Sequence, residues 1–247
     1  MVGHTSKALD MPQRQAVVAT LIYACFLFFF GPFFLYIFRL GFLDDFVAVS
    51  WLEIVFHIIN LLFILSLFRE HLEFSWWTVG TCKGKVALTV LISVLIMLGV
   101  AWDLPYLLPA EFADMAAQVS MPIVEASLFM TPVFVATSNP IFGTLAMVLI
   151  APVVTCNIFY STVFTAGYNK KPWLGYVYVA LLAAVLQFLN GVIWRELDLQ
   201  LILYVAQLPI HMICCWAYQN TDTVWTPMIA QAAGNMIVCL YSIFYLQ

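Results

Sequence analysis

Ala151-Pro-Val-Val-Thr-Cys-Asn-Ile-Phe-Tyr-Ser-Thr-Val-Phe164 decides the reading of this chain. It lies within an apolar run, Ile141 to Ala166. About 20 residues at helical rise match a hydrocarbon core roughly 30 Å thick, so the run is long enough to cross a bilayer. Yet Thr155, Cys156, Asn157, Tyr160, Ser161 and Thr162 crowd polar groups into it. Lipid offers no hydrogen-bond partners, so this face is expected to turn inward, toward other helices or a wet cavity.

The rest of the chain has the same character. Of 247 residues, 64% are hydrophobic and 9% charged, with mean hydropathy +1.00. A soluble domain uses about a quarter charged residues, so the expected fold is an all-α, polytopic bundle in the lipid bilayer. The apolar runs are helix-length and lack the alternation of a membrane barrel. A net charge of −4 gives no footprint for a nucleic-acid partner. Six cysteines at 25, 82, 156, 214, 215 and 239 form no CxxC pair and no zinc-spaced cluster, and most read as small core hydrophobes.

Taken in order, the runs Ala16–Leu40, Phe46–Phe68, Val86–Trp102, Ile141–Ala166, Trp173–Trp194, Leu199–Tyr218 and Val224–Leu246 predict spans. Gly31-Pro32 predicts a kink in the first. Arg69-Glu-His-Leu-Glu73 and a wet segment with Lys83 and Lys85 should separate the second from the third. Met121–Ala136 is ambiguous, bounded by Pro122 and Pro140 and carrying Glu125, which reads as interfacial or as a proton carrier. If it does not cross and the N-terminus is cytoplasmic, Lys7, Arg14, Arg69, Lys83, Lys85, Lys170 and Lys171 face Arg39 and Arg195, seven against two. If it crosses, the ratio falls to six against three. The positive-inside rule therefore favours seven crossings over eight. The runs divide into N-terminal helices, 1–140, and a four-helix C-terminal unit, 141–247.

Intramembrane polar residues form stripes at helical spacing. Glu53, His57 and Asn60 share one face. Gln200, Tyr204, Gln207, His211, Cys214 and Tyr218 share another, as do Gln187, Asn190 and Trp194, and Gln231 with Asn235. Glu53 with His57 reads either as a proton or metal site or as a water-facing carboxylate beside a packing histidine. His211 lacks a second ligand on its own helix and reads first as a packing histidine.

The C-terminal residues resemble the CPBP family of CAAX prenyl proteases and bacteriocin-processing proteins, also called Abi. Ala151-Pro-Val-Val-Thr-Cys-Asn-Ile-Phe-Tyr-Ser161 is similar to its first motif, a proline-led run before Glu-Glu-x-x-x-Arg. Ala183-Ala-Val-Leu-Gln187 falls where the family has Phe-x-x-x-His. Trp216 to Asn235 follows its closing pattern, a Thr-Gly-Ser-Leu-Trp-x-Pro turn and then His-x-x-x-Asn. Thr155 and Cys156 stand for the acidic pair, Tyr160 for the arginine, and Gln187 and Gln231 for the histidines, while Asn235 keeps the family letter.

The resemblance implies a protease scaffold whose acids and histidines activate water, with a metal proposed in several members. The residues present imply a pseudoprotease without metal or other cofactor, because glutamine takes no proton near neutral pH. Its expected work is to bind a membrane protein or peptide, in bacteriocin self-protection or export, in a bacterial plasma membrane. The alternatives are an intramembrane peptidase using Cys156 or Glu53/His57, and a small transporter component.

Overall fold

A computed structural model describes residues 13–25, 46–107, 140–194 and 197–245, and among these every regular element is a helix. In chain order they are α1 (Gln13–Cys25), α2 (Phe46–Thr81), α3 (Lys83–Leu107), α4 (140–168), α5 (Pro172–Trp194), α6 (Leu197–Thr221) and α7 (Trp225–Tyr245). The Gly31-Pro32 kink and the Met121–Ala136 segment with Glu125 lie outside the described residues, as do the side chains of Glu53, His57, Asn190, Trp194 and Gln200.

Helix α4 is the centre. Among the described residues three stretches are long and apolar enough to cross a membrane by length and composition, Lys83–Val100, Ala146–Tyr168 and Pro172–Leu189. The middle one is 78% buried within the protein, against 33% and 28% for the others. Apolar residues on the outer pair, such as Leu88, Leu95, Leu181 and Val185, are exposed and suit lipid. The core joins Phe159, Tyr160 and Phe164 of α4 to Phe68 of α2, Met97 of α3, Val179 of α5, Cys214 and Tyr218 of α6, and Cys239 of α7.

Sequence patterning predicts a break after Phe68, and the structure corrects this. Helix α2 runs unbroken for 36 residues to Thr81, and Cys82 alone separates it from α3. At about 1.5 Å per residue that length exceeds the hydrocarbon thickness. The charged residues leave the apolar layer without ending the helix. Arg69 and Glu73 pair at 3.0 Å one turn apart on its exposed face, while Leu72 and Ser75 are buried on the opposite one.

One end of the bundle gathers three tight connections. Gly167 lies where an added Cβ would meet the Leu174 carbonyl oxygen at 2.6 Å, which closes the α4–α5 hairpin backbone to backbone. Tyr176 near the start of α5 donates to Gln219 at 2.6 Å, and Asn220 donates to Thr89 of α3 at 2.9 Å. Thr223 donates to the Ser75 carbonyl at 3.0 Å and the Trp225 indole to the Leu72 carbonyl at 3.0 Å, tying the α6–α7 turn to α2. Lys83, Lys85, Lys170 and Lys171 therefore share this end, with exposed Trp76, Trp77 and Trp173 beside them as an aromatic belt. Since α3 starts here and α4 finishes here, Leu107 and Pro140 both lie toward the opposite end.

The α6–α7 turn depends on Asp222. Its φ of 54° is left-handed, and its N–H bonds the Tyr218 carbonyl at 2.8 Å, an αL helix cap. Aspartate is among the residues that tolerate this region, glycine adopts it freely, and a β-branched residue does not. Asp222→Gly is expected to hold or raise the thermal midpoint in detergent, and Asp222→Val to lower stability by about 1–2 kcal/mol. Equal midpoints for both variants would contradict the cap.

Candidate functional site

The site is built on an irregular α4. Its segments alternate between α and π register: Pro140–Leu145, Ala146–Ile150 (π), Ala151–Cys156, Asn157–Phe164 (π) and Thr165–Tyr168. Pro152 is one cause. In the π turn the Ala151 N–H bonds the Ala146 carbonyl, five residues back, so it is diverted from Met147. The next donor in that register would be residue 152, and proline has no N–H. The Met147 carbonyl is thereby orphaned, and Asn235 of α7 fills it, donating from Nδ2 at 2.7 Å. Hydroxyls and amides on α4 bond back to carbonyls along the second irregular stretch. Asn157 donates to Val153 (2.7 Å), Thr162 to Ile158, and Thr165 to Ser161 (2.8 Å) and Thr162 (2.9 Å).

Thr155, Cys156, Asn157, Tyr160, Ser161 and Thr162 are all buried, as the sequence predicts. Four of the site positions then join in one chain of contacts. The Cys156 thiol donates to Gln231 Oε1 at 3.4 Å, and Gln231 Nε2 donates to the Tyr160 hydroxyl at a long 3.4 Å and to Cys214 Sγ at 3.5 Å. The Tyr160 hydroxyl and His211 Nδ1 lie 2.9 Å apart, and the His211 ring stacks on Phe159 with centroids 4.6 Å apart. His211 is thus held between the Tyr160 hydroxyl and the Phe159 ring.

Other predicted residues lie elsewhere. Gln187 does not meet Gln231; its Nε2 donates to Gln207 Oε1 at 2.8 Å between α5 and α6. Asn235 serves the Met147 carbonyl, as above. Asn60 lies half-buried on α2, and Glu53 and His57 precede it on the same helix. On α6, Gln207, His211, Cys214 and Tyr218 are buried and Tyr204 partly so, as the stripe predicts.

His71 is the residue that sequence reading missed. Its Nε2 lies 3.0 Å from Ser161 Oγ of α4. It stands between Glu70 and Leu72 in a run read as a wet loop. The usable signal is that Phe68, Leu72 and Ser75 continue the buried face of α2 past Phe68, with His71 beside them.

The donor set does not suit a divalent metal of the kind proposed for members of the resembled family. Such an ion needs carboxylate, imidazole or thiolate donors, and the positions carry a threonine, a thiol given to an amide, a tyrosine and two glutamines. Among the described residues no three His, Cys, Asp or Glu side chains come together at ligand spacing. The Cys156 thiol is given to the Gln231 amide oxygen, which is no base.

Residues 137–237 match the model of the family described as Type II CAAX prenyl endopeptidase Rce1-like. This stretch is similar to the Rce1-like sequences. The match spans α4 to most of α7 and so contains the contact chain of Cys156, Tyr160, His211, Cys214 and Gln231, and Asn235 as well. Neither a curated protein nor a solved structure matches the chain. Within the matched stretch, Asp222 holds the left-handed turn and Asn235 bonds the carbonyl orphaned beside Pro152.

That link is measurable. Asn235→Leu leaves the buried Met147 carbonyl without a donor and should cost about 1–3 kcal/mol in thermal or denaturant unfolding. In a Pro152→Ala background residue 152 regains an N–H, so the same change should cost markedly less. An identical cost in both backgrounds would refute the link.

A second expectation concerns pH. Burial pulls His71 from its ordinary value of 6.5 down to about 4. The folded state therefore holds it neutral, while the unfolded chain binds a proton below about 6.5. Its contribution is complete above pH 6.5 and is lost as pH falls toward 4. Thermal midpoints of wild type and His71→Gln should converge over that window, and parallel curves would contradict the burial of a neutral ring.

Proposed function

We propose that this chain is a non-catalytic member of the Rce1-like family that holds a membrane protein or peptide partner. One observation carries the reading: Cys156, Tyr160 and Gln231, at the positions of the family acid, arginine and histidine, are neutral, buried and bonded to one another. A hydrolase needs a base for water, and general-base catalysis alone contributes about 10² to 10⁴ in rate. The amides, thiol and phenol at those positions cannot supply it, and the imidazole beside them, His211, has its Nδ1 engaged with the Tyr160 hydroxyl at 2.9 Å.

Neutral replacements also solve a solvation problem. An unpaired ion at this depth is costly, whereas mutually bonded neutral groups are not. Members of the resembled family tied to bacteriocin systems make self-protection or assistance with export the natural role. The lysine-bearing end of the bundle is then cytoplasmic in a bacterial plasma membrane, and the N-terminus faces the same side.

The test uses purified protein in nanodiscs with a prenylated CAAX peptide and an unprenylated membrane peptide, with and without zinc. Wild type is expected to release no more product than empty nanodiscs. A variant combining Thr155→Glu, Cys156→Glu, Tyr160→Arg, Gln187→His and Gln231→His restores the family letters. Cleavage by wild type at or above that variant's level would end the proposal. If the variant fails to fold, turnover by wild type above Cys156→Ala and empty discs would do the same.

A further inference from the structure

Between α5 and α6 lies an open groove of about 270 Å³, lined by Ala184, Gln187, Phe188, Leu197, Leu201 and Tyr204. Phe188, Leu197 and Leu201 are exposed on its rim, so it opens toward lipid. None of the described residues that line it is charged. Gln187 is 6% exposed, and its Oε1 has no hydrogen-bond partner although its Nε2 is committed to Gln207. A buried amide oxygen left unpaired is costly, and water from the bilayer core is scarce.

We infer that this groove binds an uncharged, single-chain lipid with one O–H or N–H donor, whose hydrogen bond Gln187 Oε1 accepts. Size selects the single chain. The volume sits just under the usual range for small-molecule sites, about 300–1,000 Å³. A second helix, about 10 Å across, does not fit. Polarity selects the donor, since the free atom on Gln187 is an acceptor. The described lining residues select a neutral headgroup, because an ion would meet no counter-charge among them. Leu197 opens α6 and Tyr204 lies two turns further along it, so the groove runs inward along the helices toward Gln187. The inference goes beyond the non-catalytic reading, and neither depends on the other.

The probe is a long-chain alcohol with a diazirine in its chain, compared with its methyl ether, which keeps the oxygen and loses the donor. Both are photolysed with the full chain in nanodiscs, and adducts are mapped by mass spectrometry. Adducts from the alcohol are expected at Phe188, Leu197 and Leu201, competed by unlabelled alcohol and favoured over the ether about two- to tenfold. Gln187→Leu should abolish that preference while leaving the thermal midpoint measurable. Leu201→Trp fills the groove from its rim, leaves the Gln187–Gln207 pair alone and should suppress labelling by both probes. Equal labelling by alcohol and ether in wild type, or adducts spread evenly onto Leu181 and Val185, would overturn the site. So would a preference that survives Gln187→Leu.

Discussion

Hydrocarbon offers a backbone carbonyl nothing to bond, and Pro152 removes one of the donors that α4 would otherwise supply. Much of the architecture around α4 answers that deficit. The π turn before the proline diverts the Ala151 N–H, and Asn235 on another helix reaches the Met147 carbonyl. Beyond it, Asn157, Thr162 and Thr165 bend back onto carbonyls of their own helix. A helix with so irregular a ladder cannot face lipid, and α4 accordingly sits at the middle of the bundle.

Once α4 is central, its polar side chains must be matched by residues of its neighbours. His71 of α2 meets Ser161, His211 of α6 meets Tyr160, and Gln231 of α7 meets Cys156. These contacts are individually modest, about 0.5–1.5 kcal/mol net for a neutral pair. Their force lies in the asymmetry: leaving any partner unmade strands a polar atom in an apolar interior. The same asymmetry accounts for a neutral set at Cys156, Tyr160 and Gln231, each bonded to another. Removing one partner of an ionised set strands a buried charge, whereas exchanging several for neutral groups that bond one another leaves none.

The exchange is uneven along the motifs. Gln231 and Tyr160 remain in contact with each other, whereas Gln187 has turned to Gln207 and presents its oxygen to a lipid-facing groove. Asn235 keeps both its letter and a role in the fold. Asp222 adopts the left-handed backbone of the α6–α7 turn. Asp222 and Asn235 thus answer backbone geometry, whereas Gln187 and Gln231 bond neighbouring side chains.

The sequence alone determined that this is a helical membrane protein, which residues of α4 turn inward, and that the α6 stripe from Gln207 to Tyr218 is buried. Those follow from apolar run length and from the cost of polar groups in lipid, both local properties. It also carried the Rce1-like motifs in order. It misjudged the end of α2, because charged residues mark departure from the apolar layer and not the end of a helix. Nor could it pair the side chains. Periodicity says which face is polar but not which face it meets, so His71 with Ser161, Gln187 with Gln207 and Asn235 with a backbone carbonyl were decided by tertiary packing.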